Sequence, residues 1–422
     1  MFGSMMVDWE ERIDMRRMRE ERCAKAQQAL KEAGVDALFV FQYEDVRYIT
    51  GHRTHMGPTF FFGLAVCVLT QDDPPFLYTM DELHSRKRAT WLQDKQIRTA
   101  PALGDERGIR EWCADAKSLL GSKVKGKIGV DIWTPDLMRI LPDEFPDADF
   151  VDGVKVLRKA KMIKTEDELN CIKMAYAFTD AAMAEALGFL KPGVKECEVL
   201  AVAWHKMTSL GSEWTQCSNI VCSGPYGAPY RRFTSDRIIK EGDMVIIDIG
   251  GCFNGYWGDF TRTYLCGNSI DPAPKQRELH QEAYDALWAC IEASQPGNTN
   301  LDVVAACPEK NNLGGVLGHG SGLACWELPG INSSYGEAVT LVPGMYFSLE
   351  PYAGDPALGY GVRLENNVIV RPTGPEVINS FPFDRRLLNR VHPLDPTTGR
   401  KPSSVGSDVG HANGRPMAAR VG

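Results

Sequence analysis

No Cys-x-x-Cys pair, no apolar leader and no basic surplus occur in this sequence, and each absence removes a class of protein. The twelve cysteines are scattered, with only Cys217 and Cys222 close together, so they read as reduced thiols, many of them buried, and not as a disulfide framework. The opening stretch MFGSMMVDWEERIDMRRMREER is densely charged, which fits neither a signal peptide nor a membrane span, and a cytoplasmic protein is expected. With 47 Lys and Arg against 55 Asp and Glu the formal charge is −8, which argues against nucleic acid or an anionic membrane as a partner. What is present is ordinary in amount. The 422 residues are 44% hydrophobic and 24% charged, enough for a large core and, by length, two domains.

The chain is organised around VIIDIGGCFNGYWGDFTRTYLCG, from Val245 to Gly267. This reads as an apolar strand ending in Asp248, a Gly-rich turn and a second strand carrying Asp259. Asp and Gly favour such turns for backbone reasons alone. Yet two carboxylates with ten residues between them on a hairpin can face each other, and among Val, Ile and Phe they need a counter-charge. Downstream, His319 in GHGSGL, Glu350 in MYFSLEP and Glu365 in VRLENNVIV each sit in apolar or Gly-flanked contexts. Two Asp, two Glu and one imidazole form a hard, oxygen-rich set that suits a pair of divalent ions bridged by carboxylates.

In chain order, Asp8 to about Gly34 has apolar residues at helical spacing and predicts one long helix stopped by glycine. Short apolar runs at Ala37–Phe41, Phe61–Thr70, FLYTM and KIGVD predict strands, alternating with the helical RGIREWCADAKSLLG and TPDLMRILPDEF, which implies an α/β domain over residues 1–155. Tyr48 to Phe62, with His52, His55, Arg53 and a Phe run beside Gly and Pro, reads as a loop of binding composition. A basic joining stretch at 154–164 leads to Thr165 and Glu168, spaced as a capping box, and a helix to about Leu190. A second helix follows the Pro192–Gly193 break, and QRELHQEAYDALWACIEAS and NLDVVAAC give two more. The catalytic domain is expected over 156–390, and 391–422, rich in Gly, Pro and Ser, as a disordered tail.

The order and spacing of Asp248 in IDIGG, Asp259 in GDFTRT, His319 in GHGSGL, Glu350 in SLEP and Glu365 in RLENN resemble the creatinase/aminopeptidase P/prolidase family of metallopeptidases. The likeness runs from about Val154 to Phe383, more weakly through the N-terminal part. It implies an α/β N-terminal domain plus an α+β pita-bread catalytic domain. It also implies two divalent ions (manganese, iron, cobalt or zinc) held by these five residues, and a homodimer in which the Tyr48–Phe62 loop reaches the partner's site.

Two departures from the family pattern bear on chemistry. Peptidase members place one histidine in the loop before the first Asp strand and another shortly after the metal histidine. Here Arg231, flanked by Tyr230, and Trp326, before Glu327, stand at those positions, so both proton-handling imidazoles are replaced. Arg231 would clamp a carboxylate bidentately, and Trp326, with Trp257, Tyr256, Tyr230 and Trp214 as neighbours, would present aromatic faces to a cation. The candidate catalytic residues are Glu350, Arg231, Trp326 and Glu327, and the candidate substrate-binding residues are Tyr230, Arg231, Trp326 and His55. The reading is a dinuclear metallohydrolase of a small zwitterionic amide or related non-peptide substrate. The alternatives are an Xaa-Pro dipeptidase or aminopeptidase, and a lyase similar to dimethylsulfoniopropionate lyase. Cys325, where that lyase has an acidic residue, counts against the last. A non-enzymatic scaffold would have no use for the five ligands.

Overall fold

The computed structural model describes residues 13–53, 65–101, 103–214, 220–230, 232–311, 316–332 and 337–399. Helix α1 (Met15–Ala33) starts where the Asp14 carboxylate accepts from the Arg16 and Arg17 amides, and it stops at Gly34, whose φ is 62°. These are the residue types that satisfy free amides at one helix end and adopt the left-handed cap at the other. The apolar runs give β1 (Ala37–Val40), β2 (Ala65–Thr70), β3 (Phe76–Thr79), β4 (Ile97–Thr99), β5 (Lys127–Val130) and β6 (Asp149–Asp152). They form one mixed sheet in the order β4-β3-β2-β1-β5-β6, with β1 antiparallel to β2 and parallel to β5. Helices α2 (Tyr43–Thr50), α3 (Glu82–Arg88), α4 (Glu106–Leu120) and α5 (Pro135–Glu144) connect these strands. Trp112 of α4 is buried edge-on against Phe39 of β1 with ring centroids 4.9 Å apart, a pairing that fixes the helix on the sheet.

Two expectations are corrected in this half. Tyr48, expected in a loop, lies in the last turn of α2, where it is buried and its hydroxyl donates to the Ala160 carbonyl at 3.2 Å. Glu44 and Asp45 in the first turn and left-handed Gly51 after the last are helix-end signals that the neighbouring histidines and Phe run obscure. His55 and most of that loop lie outside the described residues. The basic stretch expected as a joint is itself helix α6 (Gly153–Met162), capped by the Asp152 carboxylate. Its Val156, Leu157 and Ala160 are buried in the core shared with the second half, so the division expected at 155/156 falls inside a packed helix.

Helix α7 (Glu166–Phe189) opens with the Thr165–Glu168 capping box, both reciprocal bonds present, and α8 (Glu196–Ser209) packs beside it. The organising stretch forms β8 (Met244–Ile249), a two-stranded hairpin of β9 (Cys252–Phe253) and β10 (Tyr256–Trp257), and β11 (Phe260–Leu265), once β7 (Ile220–Ser223) is counted before them. Strands β11, β8 and β7 make one antiparallel sheet in that order. After α9 (Pro274–Ala293) and the short α10 (Asn300–Ala306) come β12 (Val316–Gly320), β13 (Glu327–Asn332), β14 (Tyr346–Leu349), β15 (Tyr352–Asp355), β16 (Tyr360–Arg363), β17 (Asn366–Arg371) and β18 (Gly374–Val377). The order β13-β12-β14-β17-β18 gives a five-stranded sheet, and β15 pairs with β16. Gly258 allows α7 to approach the hairpin, since a Cβ there would meet Thr179 Oγ1 at 2.8 Å and the Ala175 carbonyl at 3.2 Å.

The tail expectation is corrected for its first nine residues. Asp395 and Thr397 are buried, Tyr284 of α9 donates to Asp395 at 2.8 Å, and His392 stacks on Trp288 at 4.7 Å. A polar, Pro-rich segment is ordered here because α9 supplies its hydrogen bonds. Residues 400–422 lie outside the described residues.

Candidate metal centre

Five side chains from both sheets converge where the sheets meet. Asp248 is carried by β8, Asp259 precedes β11, His319 lies in β12, Glu350 follows β14 and Glu365 precedes β17. The alternation of β8 turns Asp248 away from the apolar side that Val245, Ile247 and Ile249 give to the core. One carboxylate oxygen each from Asp248, Asp259 and Glu365 lies within 4.8 Å of the others, and all three residues are buried. His319 Nε2 is 3.4 Å from Asp259 Oδ2 and 3.8 Å from Glu350 Oε1.

The hydrogen bonds around the cluster orient these groups without neutralising them. Tyr230 donates to Asp248 Oδ2 at 2.9 Å, Thr261 to Glu365 Oε2 at 2.9 Å, and Asn367 Nδ2 to Glu365 Oε1 at 3.3 Å. Tyr176 fixes the Asp259 backbone at both its amide and its carbonyl. His319 Nδ1 lies 2.9 Å from the Gly320 carbonyl. A carbonyl only accepts, so Nδ1 carries a hydrogen, and Nε2 is the ring nitrogen turned toward the carboxylates.

Three buried polar atoms of the cluster are left over. Asp248 Oδ1, Glu350 Oε1 and His319 Nε2 have no hydrogen-bond partner among the described residues. Burial, then Asp259, pushes the Asp248 carboxyl above the usual carboxylate range, and burial with Asp259 and Asp248 does the same to Glu365. Buried lone pairs and crowded carboxylates are costly unless a cation completes them. The donor set of oxygens and one imidazole therefore fits divalent metal. The Arg363 guanidinium is the cation seen here. It pairs with Glu350 Oε2, lies 5.1 Å from the Tyr230 ring centroid, and leaves Nε and Nη1 buried without partners.

The chain has known relatives. The profile of metallopeptidase family M24 matches residues 170–372, and that of the creatinase/prolidase N-terminal domain matches residues 22–163. A probable dipeptidase, PepE, of Mycobacterium tuberculosis is 31% identical over 379 residues, covering 86% of this chain and 95% of that protein. The chain belongs to metallopeptidase family M24. An Xaa-Pro dipeptidase of Pyrococcus furiosus is 36% identical to this M24 chain over 240 residues, 55% of it and 67% of the relative. The solved Xaa-Pro dipeptidase from Bacillus anthracis superposes with a TM-score of 0.73 at 26% identity, covering 87% of this chain and 99% of that one. Family and fold make this chain a metallohydrolase with a creatinase-type N-terminal domain and a pita-bread catalytic domain.

The other candidates of the M24 site fall out differently. Trp326 does border it. Its ring stacks on His319 with centroids 4.6 Å apart and planes 16° from parallel, while 55% of the residue stays exposed. Tyr230 reaches the cluster as the Asp248 donor and is closed off on its ring side by Tyr352 at 6.1 Å, so it offers no open face to substrate. Trp257 is buried with its Nε1 on the Leu323 carbonyl, and the Tyr256 hydroxyl sits between Arg22 and Glu168. The aromatic wall expected from five rings reduces to one exposed indole among the described residues whose placement the contacts define. Glu327 is corrected most. Its carboxylate is committed to Lys164 and Lys161, not to the cluster. Arg231 and His55 lie outside the described residues. Arg363, Thr261, Tyr176 and Asn367 were missed: Arg363 and Asn367 lie within RLENN and Thr261 within GDFTRT, but only the packed sheets show which carboxylate each one meets.

Proposed function

We propose that this M24 chain is a dinuclear metallohydrolase acting on a small, carboxylate-bearing zwitterionic amide, with Asp248, Asp259, His319, Glu350 and Glu365 holding two divalent ions. The observation that carries the metal site is the set of three buried polar atoms, on Asp248, Glu350 and His319, with no hydrogen-bond partner among the described residues. Bound divalent ions would supply Lewis acidity and bring the pKa of a coordinated water toward neutrality. Tyr230, Thr261 and Asn367 hold the carboxylates in place, Arg363 pairs with Glu350, and the substrate carboxylate is assigned to Arg231, whose guanidinium would clamp it bidentately.

The non-peptide reading rests on Trp326. An amide nitrogen leaves only with a proton, and indole cannot deliver one as an imidazole can. The exposed face of Trp326 instead suits a cationic or planar group. Relatives named as Xaa-Pro dipeptidases favour the second reading, a dipeptidase. Hydrolysis of Ala-Pro by manganese-loaded enzyme separates the two. We expect kcat/KM well below the ordinary enzyme range, which begins near about 10⁴ M⁻¹s⁻¹, with partial gain in Trp326→His. Fast cleavage by the wild type restores the dipeptidase reading. The protein is read as a cytoplasmic homodimer. The exposed Met80 and Leu83 of the N-terminal domain are side chains a second copy would cover.

A further inference from the structure

An alternating chain of buried charges crosses the seam between the two domains and ends beside Trp326. Asp45 of α2 bonds Lys161 of α6 at 2.6 Å, and Lys161 lies 3.7 Å from Glu327 Oε1. Glu327 Oε2 in turn bonds Lys164 at 3.0 Å. All four side chains are at most 7% exposed, and two anions balance two cations. Glu327 also accepts the Ala324 amide at 3.1 Å, and its Oε2 lies 2.5 Å from where a Cβ on Gly322 would stand. The turn from 321 to 326 is therefore folded around this carboxylate. Its far side is held by Trp257, whose amide donates to the Gly322 carbonyl at 3.0 Å and whose Nε1 donates to the Leu323 carbonyl at 3.1 Å. Trp326 is the last residue of the turn and Glu327 the first of β13.

We propose that Glu327 is a positioning residue, and that the Asp45–Lys161–Glu327–Lys164 chain fixes the Trp326 indole over His319. Four buried charges are an expensive way to hold a turn when apolar packing would do. What ion pairs add is direction. With the adjoining Glu327 held through its carboxylate, the backbone that carries Trp326 is fixed, and its ring closes one face of the imidazole whose Nε2 points at the carboxylates. Because Asp45 and Lys161 belong to the N-terminal half, that half sets the site's outer wall. The consequence for catalysis rests on the metallohydrolase reading above, whereas the positional claim does not.

The test is nuclear magnetic resonance of the full chain labelled with ¹³Cε1-histidine, the His319 signal being assigned by its loss in His319→Asn. Stacking under indole shifts that signal upfield, and Trp326→Ala removes the shift. Glu327→Gln is expected to move the signal to the Trp326→Ala position, and the double variant to move it no further. Glu327→Gln leaves Lys164 buried without an anion while Lys161 keeps Asp45, so Lys164→Met/Glu327→Leu, which removes one charge of each sign and also keeps Asp45 with Lys161, serves as the folded control. It too is expected to lose the shift. A His319 signal that stays at its wild-type position in either folded variant overturns the proposal. Metal content measured by mass analysis on the same samples keeps the two readings apart: wild type without metal but with the shift intact sinks the metal reading alone.

Discussion

Replacing Asp248 by asparagine should stabilise the metal-free protein and weaken the metal-loaded one. Asp248, Asp259 and Glu365 bring carboxylate oxygens within 4.8 Å. Two unit charges at that distance repel by about 3 kcal/mol at an effective dielectric near about 20. Partial protonation, in the direction the raised carboxyls show, removes part of this, so a gain of about 1–3 kcal/mol is expected for the chelated variant. Asparagine is the clean change, since its amide oxygen still accepts from Tyr230, now at 2.9 Å from Asp248 Oδ2. In the loaded protein the sign reverses, because a ligand that binds only the folded state stabilises by RT ln(1 + [L]/Kd) and a neutral amide at this position holds a cation more weakly than the carboxylate does. Thermal unfolding of both proteins, with chelator and with saturating manganese, is the assay. A melting temperature that falls in chelator on Asp248→Asn, or an equal rise of both proteins with manganese, would refute the repulsion account.

Asp259→Ala, His319→Ala and Glu350→Ala should each abolish activity and lower bound metal, because each removes one of the atoms that converge on the site; metal analysis of the purified variants checks this. Asp131 gives a pH signature elsewhere. Burial, then Asp45, pushes its carboxyl up to about 7, while it accepts the Phe41 and Gln42 amides. The folded state thus holds a proton that the unfolded chain, with a pKa near about 3.9, has released. Its contribution to stability is therefore intact below about pH 4 and lost as pH rises toward 7. Asp131→Asn should be more favourable relative to wild type at pH 8 than at pH 5, by up to a few kcal/mol, in urea titrations at both pH values. Light scattering after size exclusion should give a dimer at micromolar concentration, and a monomer would remove that part of the reading.

The sequence by itself marked the five side chains that converge where the sheets meet, because a charged or imidazole group in apolar or glycine-flanked surroundings stands out: Asp248 ending an apolar strand, His319 between glycines, Glu350 and Glu365 in strand-like runs. It also carried the helix ends, since caps are local. Gly34, Thr165 and Glu168 act within four residues of themselves, whereas the first helix was expected from Asp8 and its cap is Asp14. What depends on residues far apart in the chain was decided only by the tertiary structure. Lys161 and Glu327 are 166 positions apart, yet 3.7 Å separates their charges, so Glu327, a candidate catalytic residue by sequence, has its carboxylate committed to the domain seam. Tyr230 looked like an aromatic face for substrate until Asp248 was found at its hydroxyl and Tyr352 against its ring. Arg363, though it opens RLENN, had no assigned partner before β16 and β14 brought it to Glu350. Residue type limits which chemistry a position can do; which partner it does it with is fixed by packing, and burial then makes that choice costly to change.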